Sequence, residues 1–297
     1  MMQATRPDGL LVLDKPPGMT SRAALDRAAR WFQRGTRTGH TGTLDPAASG
    51  VLVLCLGSAT RLAEYVQAMA KTYRSTFRLG ARSTSDDADG TITVVDRATP
   101  PGSDTVALAL AGLVGRIEQV PPAFSAAKVG GRRAYDLARR GRPVTLTPRQ
   151  VDVYRIDTLL YDYPLLEVEC HCGKGTYIRS LARDLGERLG CGAFVQTLRR
   201  TRVGPFAVED AVTLDCDATV AGARVLPPEA AVAELPRAQV TLAEAERLQH
   251  GQAVAGPCDA MPESQVAVFD PTGRFCAVAK ADATRRLLVP AKVIPRP

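Results

Sequence analysis

Histidines and paired cysteines are scarce in this chain, and each scarcity excludes a class of chemistry. Three histidines in 297 residues cannot supply a zinc triad with H-E-x-x-H spacing. The seven cysteines, at 55, 170, 172, 191, 216, 258 and 276, are odd in number, scattered and free of any C-x-x-C pair. They indicate neither a disulfide framework nor a zinc ribbon. The run "CHC" at 170–172 does not converge on a metal if it lies on a strand, because His171 then points away from the face shared by Cys170 and Cys172. No stretch approaches the roughly 20 apolar residues of a membrane span. The opening "MMQATRPDG" lacks the apolar core of a signal peptide, so a cytoplasmic protein without membrane contact is expected. Also missing are G-x-S-x-G, a Walker loop and G-x-G-x-x-G, the usual equipment of hydrolases, phosphotransferases and dinucleotide-dependent redox enzymes.

What is present is an ordinary globular balance, 45% hydrophobic and 23% charged, with length enough for a large domain and a smaller one. The net charge of +7 is unevenly placed. Residues 128–149 hold one lysine and six arginines against Asp136, a net +6. Residues 22–37 hold five arginines and one aspartate. Two arginine clusters with few acidic neighbours fit phosphate contact better than a merely solvated face.

The first element is an apolar strand, "GLLVLDKPPG" (9–18), ended by two prolines. Thr20 or Ser21 then caps a helix with Leu25, Ala28, Ala29 and Phe32 on one face and Arg27, Arg30 and Arg34 on the other. "GVLVLCLG" (50–57) reads as a fully apolar strand and "ATRLAEYVQAMA" (59–70) as a helix. "KTYRSTFRLG" (71–80) alternates, placing Tyr73, Ser75, Phe77 and Leu79 on one face and basic residues on the other. "LLEVECHC" (165–172) alternates likewise. "SLARDLGERLG" (180–190) is a helix stopped by Gly190. "SDDADG" (85–90) matches a calcium loop in part but lacks its bidentate glutamate, and is read as an acidic turn between strands. Residues 223–239 read as a connection, and three short strands after them as a small β module. Strands and helices without strict βαβ alternation favour α+β.

"GHTGTLDPAASG" (39–50) is punctuated more heavily than a simple turn requires. It carries two titratable side chains, His40 and Asp45. "GLLVLDKPPGMTS", this loop with the "VL" that follows it, "KTYRSTFRLG", "DDADG", "QVPPAFSAAKVGGRRAYDLARRG" and "CGKGTYIRSLARDLG" follow one another in an order that resembles the bacterial tRNA pseudouridine-55 synthases, the TruB family. The resemblance covers about residues 9–210. The tail with "LQHGQAV" looks more loosely like a PUA-type RNA-binding module.

The resemblance implies an α+β fold with a mixed, mainly antiparallel central sheet flanked by helices, over about residues 8–235, and a PUA-type β module over 238–297. It implies cofactor-free, metal-free isomerisation of one uridine in the T-arm of tRNA. Asp45 falls on the family's nucleophile and Tyr73 on the aromatic residue that packs against the target base. Arg179 falls on the arginine that partners the carboxylate, and Tyr177 lines the same pocket. His40 falls on the residue that helps hold the base out of its stack, Leu198 on an apolar wall and Lys15 on a lysine behind the pocket. Lys128, Arg132, Arg133, Arg139, Arg140 and Arg142 lie in an insertion of about 119–149 expected to meet the RNA backbone. A monomer acting without guide RNA is expected. The alternative from another class is a non-catalytic tRNA-binding or RNA-folding protein on the same scaffold; Asp45, Tyr73 and Arg179 together argue against it.

Overall fold

A computed structural model describes residues 7–96, 100–124, 146–256 and 264–295, with the backbone of 128–129 and 132–133. The strands are β1 (Gly9–Lys15), β2 (Thr38–His40), β3 (Ser49–Leu56), β4 (Lys71–Leu79), β5 (Ala81–Ser83), β6 (Ile92–Val94), β7 (Gly115–Gln119), β8 (Lys128–Val129) and β9 (Arg132–Arg133). They continue as β10 (Arg149–Asp162), β11 (Leu165–Cys172), β12 (Ala193–Val203), β13 (Phe206–Ala207), β14 (Arg237–Gln239), β15 (Val254–Ala255), β16 (Gln265–Phe269), β17 (Phe275–Asp282) and β18 (Leu287–Val293). The α-helices are α1 (Ser21–Ala28), α2 (Ala63–Ala68), α3 (Ser103–Ala111), α4 (Ile178–Arg188), α5 (Ala218–Ala223) and α6 (Leu242–Gln249).

A nine-stranded sheet among these residues runs β1-β3-β12-β4-β11-β10-β7, with β2 added to β3 and β13 to β12. Only the β3–β12 pairing within it is parallel, so the sheet is mixed and mainly antiparallel. β3 has no polar face because both of its faces are covered. Leu52, Leu54 and Leu56 pack with Leu25 and Ala28 of α1. Val51, Val53 and Cys55 pack on the other face with Leu62, Val66 and Met69. Further along, α4 lays Leu181 and Leu185 on Phe77, Val168 and Cys170. The helices α1 and α4 therefore stand on one face with a cleft between them. The second sheet, β14-β16-β17-β18-β15, meets the opposite face where Phe269, Phe275 and Val278 join Leu10, Val12 and Val53.

Gly50 marks where β3 meets β12. Its φ is +103°, and a Cβ there would stand 2.1 Å from the carbonyl oxygen of Arg200. Only glycine combines that conformation with such a backbone approach.

Three local readings differ. The first helix is capped by Thr20 as expected, but α geometry ends at Ala28, and after one 3-10 turn Phe32 is already extended. Arg34 therefore lies beyond the helix and does not continue the face of Arg27 and Arg30. The segment expected as a helix over 59–70 opens as a 3-10 helix, Gly57–Leu62, before α2. Residues 223–239 are more than a connection: Leu226 pairs with Leu10 through both backbone groups, and Ala231 and Val232 are buried in the core.

Candidate active site

The loop after β2 is held from three sides. Lys15, fully buried, donates from Nζ to the carbonyls of Pro16 at 2.8 Å, Met19 at 2.8 Å and Pro46 at 3.3 Å. Burial lowers its pKa to about 8, against the attraction of Asp45. Ser21, at the start of α1, exchanges two hydrogen bonds with Leu44, accepting from its N–H at 2.8 Å and donating to its carbonyl at 3.0 Å. Arg200, buried on β12, donates to the carbonyls of Val51 at 2.7 Å and Gly42 at 3.1 Å. These contacts satisfy the carbonyls of a loop that has no ladder of its own.

Asp45 is thereby presented to the cleft with 38% of its side chain accessible, and its Oδ2 lies 3.1 Å from Nε of Arg179. The guanidinium itself is 4% exposed, and its Nε–H is not aligned for a hydrogen bond to any acceptor among the described residues, so the contact is an ion pair. Arg179 is fixed by the rest of its fork: Nη1 donates to Asp87 Oδ2 at 3.0 Å and to the Ser85 carbonyl at 3.1 Å, and Nη2 to the Phe124 carbonyl at 2.8 Å. Asp87 in turn accepts from Ser85 Oγ and from the Asp89 N–H at 3.1 Å. One turn later on α4, Arg183 pairs with Asp86 at 3.0 Å.

Burial pushes the Asp45 carboxyl above the ordinary carboxylate range. Arg179 opposes this, Asp87 and Asp89 add to it, and Lys15 opposes it. Desolvation of the charged form is thus the largest influence on this carboxyl, and the guanidinium beside it the second.

Tyr73 lies half-buried on the α4 side of β4, opposite Cys170 and Arg200 in register. Burial raises the pKa of its hydroxyl against the pull of Arg200. Leu198 packs beside it against the same cluster. His40 sits at the end of β2 opposite Leu54. Burial first, then Arg200 and Arg22, lowers its pKa, and its Nδ1 meets no hydrogen-bond partner among the described residues. The backbone of Tyr177 is bonded to Gln119. Its ring lies under the Arg149 guanidinium, 4.7 Å away.

Lys128, Arg132 and Arg133 belong to the short pairing of β8 with β9; Arg139, Arg140 and Arg142 lie outside the described residues. Among the described residues no three His, Cys, Asp or Glu side chains group as a metal site, and Cys170 and Cys172 point into the core while His171 bonds Thr72. An open pocket of about 700 Å³ does lie on the opposite sheet face, between Thr72, Arg74, His171 and Arg199. Two of its arginines are engaged, Arg74 with Glu169 at 3.1 Å and Arg199 with Asp14 at 2.7 Å.

The structure adds residues that the sequence did not single out. Asp87 was legible only as part of an acidic turn, and Arg200 only as a near neighbour of Leu198. Each acts through a residue far away in the chain, for which no local pattern exists.

The fold and a cleft aspartate held by a buried arginine define a pseudouridine synthase. Residues 30–178 match the family described as "TruB family pseudouridylate synthase (N terminal domain)", and residues 179–218 match "tRNA pseudouridylate synthase B C-terminal domain". A relative from Xanthomonas oryzae pv. oryzae named "tRNA pseudouridine synthase B" is 44% identical over 286 residues, covering 94% of this chain and 92% of its own. One of the same name from Burkholderia mallei is 41% identical over 296 residues, covering 97% of each. Among solved structures, one titled "Crystal Structure of a Cbf5-Nop10-Gar1 Complex" superposes with a TM-score of 0.75 at 25% identity, over 97% of this chain and 84% of that one. The chain belongs to the TruB family of pseudouridylate synthases, which are isomerases.

Proposed function

We propose that this chain isomerises a uridine of tRNA to pseudouridine, that the uridine is position 55 of the T-loop, and that Asp45 is the nucleophile. The tRNA substrate rests on the names of relatives at 41–44% identity over nearly the whole chain. The observation that carries the chemistry is the chain Asp45–Arg179–Asp87, in which a solvent-reachable carboxylate faces a guanidinium fixed on all its other sides. A base within folded RNA must be flipped out at a cost of about a few kcal/mol. Stacking on an aromatic such as Tyr73 offsets about 1–3 kcal/mol of that. Ionised Asp45 then attacks either the sugar carbon C1′ or the base ring. The bond from C1′ to N1 breaks, the base turns, C1′ bonds to C5, the bond to Asp45 is released to restore the carboxylate, and the C5 proton leaves while N1 takes up a proton. Arg179 stays cationic throughout and holds the carboxylate ready to attack.

In this reading Tyr177, Leu198 and His40 shape the pocket, and Lys15 supports the loop beneath. The arginines of 128–142 contact phosphates, and residues 238–297 act as an RNA-binding module of PUA type. The enzyme works in the cytoplasm as a monomer, without guide RNA, metal or organic cofactor. The test is incubation of the pure protein with unmodified tRNA carrying tritium at uracil C5. Tritium release without any addition is expected, and release confined to transcripts bearing the T-loop uridine. Release that required a cofactor, or that survived replacement of that uridine, would contradict the reading.

A further inference from the structure

Gln119 is the last residue of β7 and is 1% exposed. Both ends of its amide bond the same residue. Oε1 accepts from the N–H of Tyr177 at 2.8 Å, and Nε2 donates to the carbonyl of Tyr177 at 3.1 Å. Tyr177 is the N-cap residue of α4, and its own side chain makes no capping hydrogen bond. Two residues later stands Arg179.

Across the sheet, Gln119 is the register partner of Arg149, the first residue of β10. Arg149 holds the same tyrosine from its ring side, with its guanidinium 4.7 Å from the ring centre, and donates to the Gly175 carbonyl at 3.1 Å. Residues on from Gln119 continue the attachment. The Val120 carbonyl accepts from Ser180 Oγ at 2.8 Å and from Arg183 Nη2 at 2.9 Å, and the Phe124 carbonyl accepts from Arg179 itself. The two strand ends that bound the arginine-rich insertion thus grip the segment carrying Arg179.

Two bonds from one amide to the N–H and the carbonyl of one residue fix the direction of the backbone there as well as its place. A water could satisfy the Tyr177 N–H, but could not hold it relative to a strand. The ion pair between Arg179 and Asp45 depends on where this backbone lies as well as on the three bonds of the Nη atoms, since Nε stands 3.1 Å from Asp45 with no aligned hydrogen bond among the described residues. We infer that Gln119 is a positioning residue for the isomerisation, acting through Tyr177 to set Arg179 against Asp45. This rests on the proposed role of Asp45.

The test compares Gln119→Leu, Gln119→Glu and Ser180→Ala with wild type, in single turnover at saturating enzyme and across pH, with tRNA affinity measured separately. Gln119→Leu is expected to lower the rate about 10- to 100-fold, the scale of a small misplacement in a reacting geometry, with affinity within about threefold. Its acid limb should move to higher pH, because a displaced guanidinium opposes the burial of Asp45 less. Gln119→Glu keeps only the bond from the Tyr177 N–H when ionised, and should fall between on both readings; it decides the matter if the leucine variant does not fold. Ser180→Ala removes a tether that does not touch Tyr177, and should lower the melting temperature without moving the acid limb. An unchanged rate in Gln119→Leu, or a loss of rate with the limb in place as in Ser180→Ala, would reduce Gln119 to a structural residue and overturn the inference. Asp45→Asn is run beside them. Turnover by that variant would remove the underlying reading instead, whatever the Gln119 variants do.

Discussion

Replacing Asp45 by asparagine keeps the shape of the side chain and removes the nucleophile, so the variant should bind tRNA and lose turnover by many orders of magnitude. Tritium release above about 1% of wild type, on that principle of covalent catalysis, would take Asp45 out of the mechanism. The acid limb of the wild-type rate follows from the same residue. The ionised carboxylate is the active form, so the rate falls as pH drops through its pKa, and burial places that pKa above the ordinary value of 3.8. Arg179→Lys should be severely impaired and move the limb further up, because an ammonium cannot reproduce a fork that reaches Asp45, Asp87 and two carbonyls at once. Tyr73→Phe keeps the ring and should retain substantial rate, while Tyr73→Leu loses the flat surface and should fall further. Equal inactivity of the two would assign the work to the hydroxyl.

At the scale of elements, the loop that carries Asp45 is held by groups on neighbouring segments. Ser21→Ala deletes both bonds to Leu44 in a buried place and should cost about 1–3 kcal/mol in urea unfolding. Gly50→Ala forces a Cβ to 2.1 Å from the Arg200 carbonyl at a φ of +103°. The β3–β12 junction would have to open, and a loss of at least about 2 kcal/mol is expected. Lys71, at the head of β4, carries a pH signature. Burial lowers its pKa from 10.5 to about 8, so between those values the unfolded chain binds more protons than the folded one. The penalty of holding Lys71 charged is present below about pH 8 and is relieved as pH rises toward the unfolded value. Stability of wild type relative to Lys71→Met should therefore increase over that window, and a flat difference would contradict it.

For the whole molecule, the question is how a net charge of +7 meets a polyanion. Phosphate contacts set position and affinity without reading sequence. Neutralising Arg139 and Arg140 together should weaken tRNA binding and flatten its salt dependence by roughly 0.7–0.9 in the log–log slope per lost contact. Chemistry in the bound complex should suffer less than affinity. Binding isotherms at several salt concentrations check this; an unchanged slope would mean that these charges never meet the backbone. The small sheet packs on the face opposite the cleft, through Phe269 and Phe275 against Val12 and Val53. A contribution of that module to binding would thus come from reaching a different part of the RNA than the base at Asp45.

Much of this protein is determined by its sequence alone. Alternation in 71–80 and 165–172 placed Tyr73 and the cysteines on the inner face, and the structure has them there. The apolar run of β3 announced burial on both sides, and the motifs around Asp45, Tyr73 and Arg179 carried the resemblance to the family. These are local signals, because side-chain period and loop composition are properties of a few consecutive residues. Other features were settled only when distant segments met. Asp87 lies 92 residues from the arginine it pairs with, Gln119 58 from the peptide it holds, and Arg200 158 from the loop carbonyl it binds. The pKa of Asp45 belongs to the same class. Its direction is decided by how much water the cleft removes, against a guanidinium brought to 3.1 Å by a different helix. No stretch of chain contains that balance, because desolvation and charge pairing are set by packing in three dimensions.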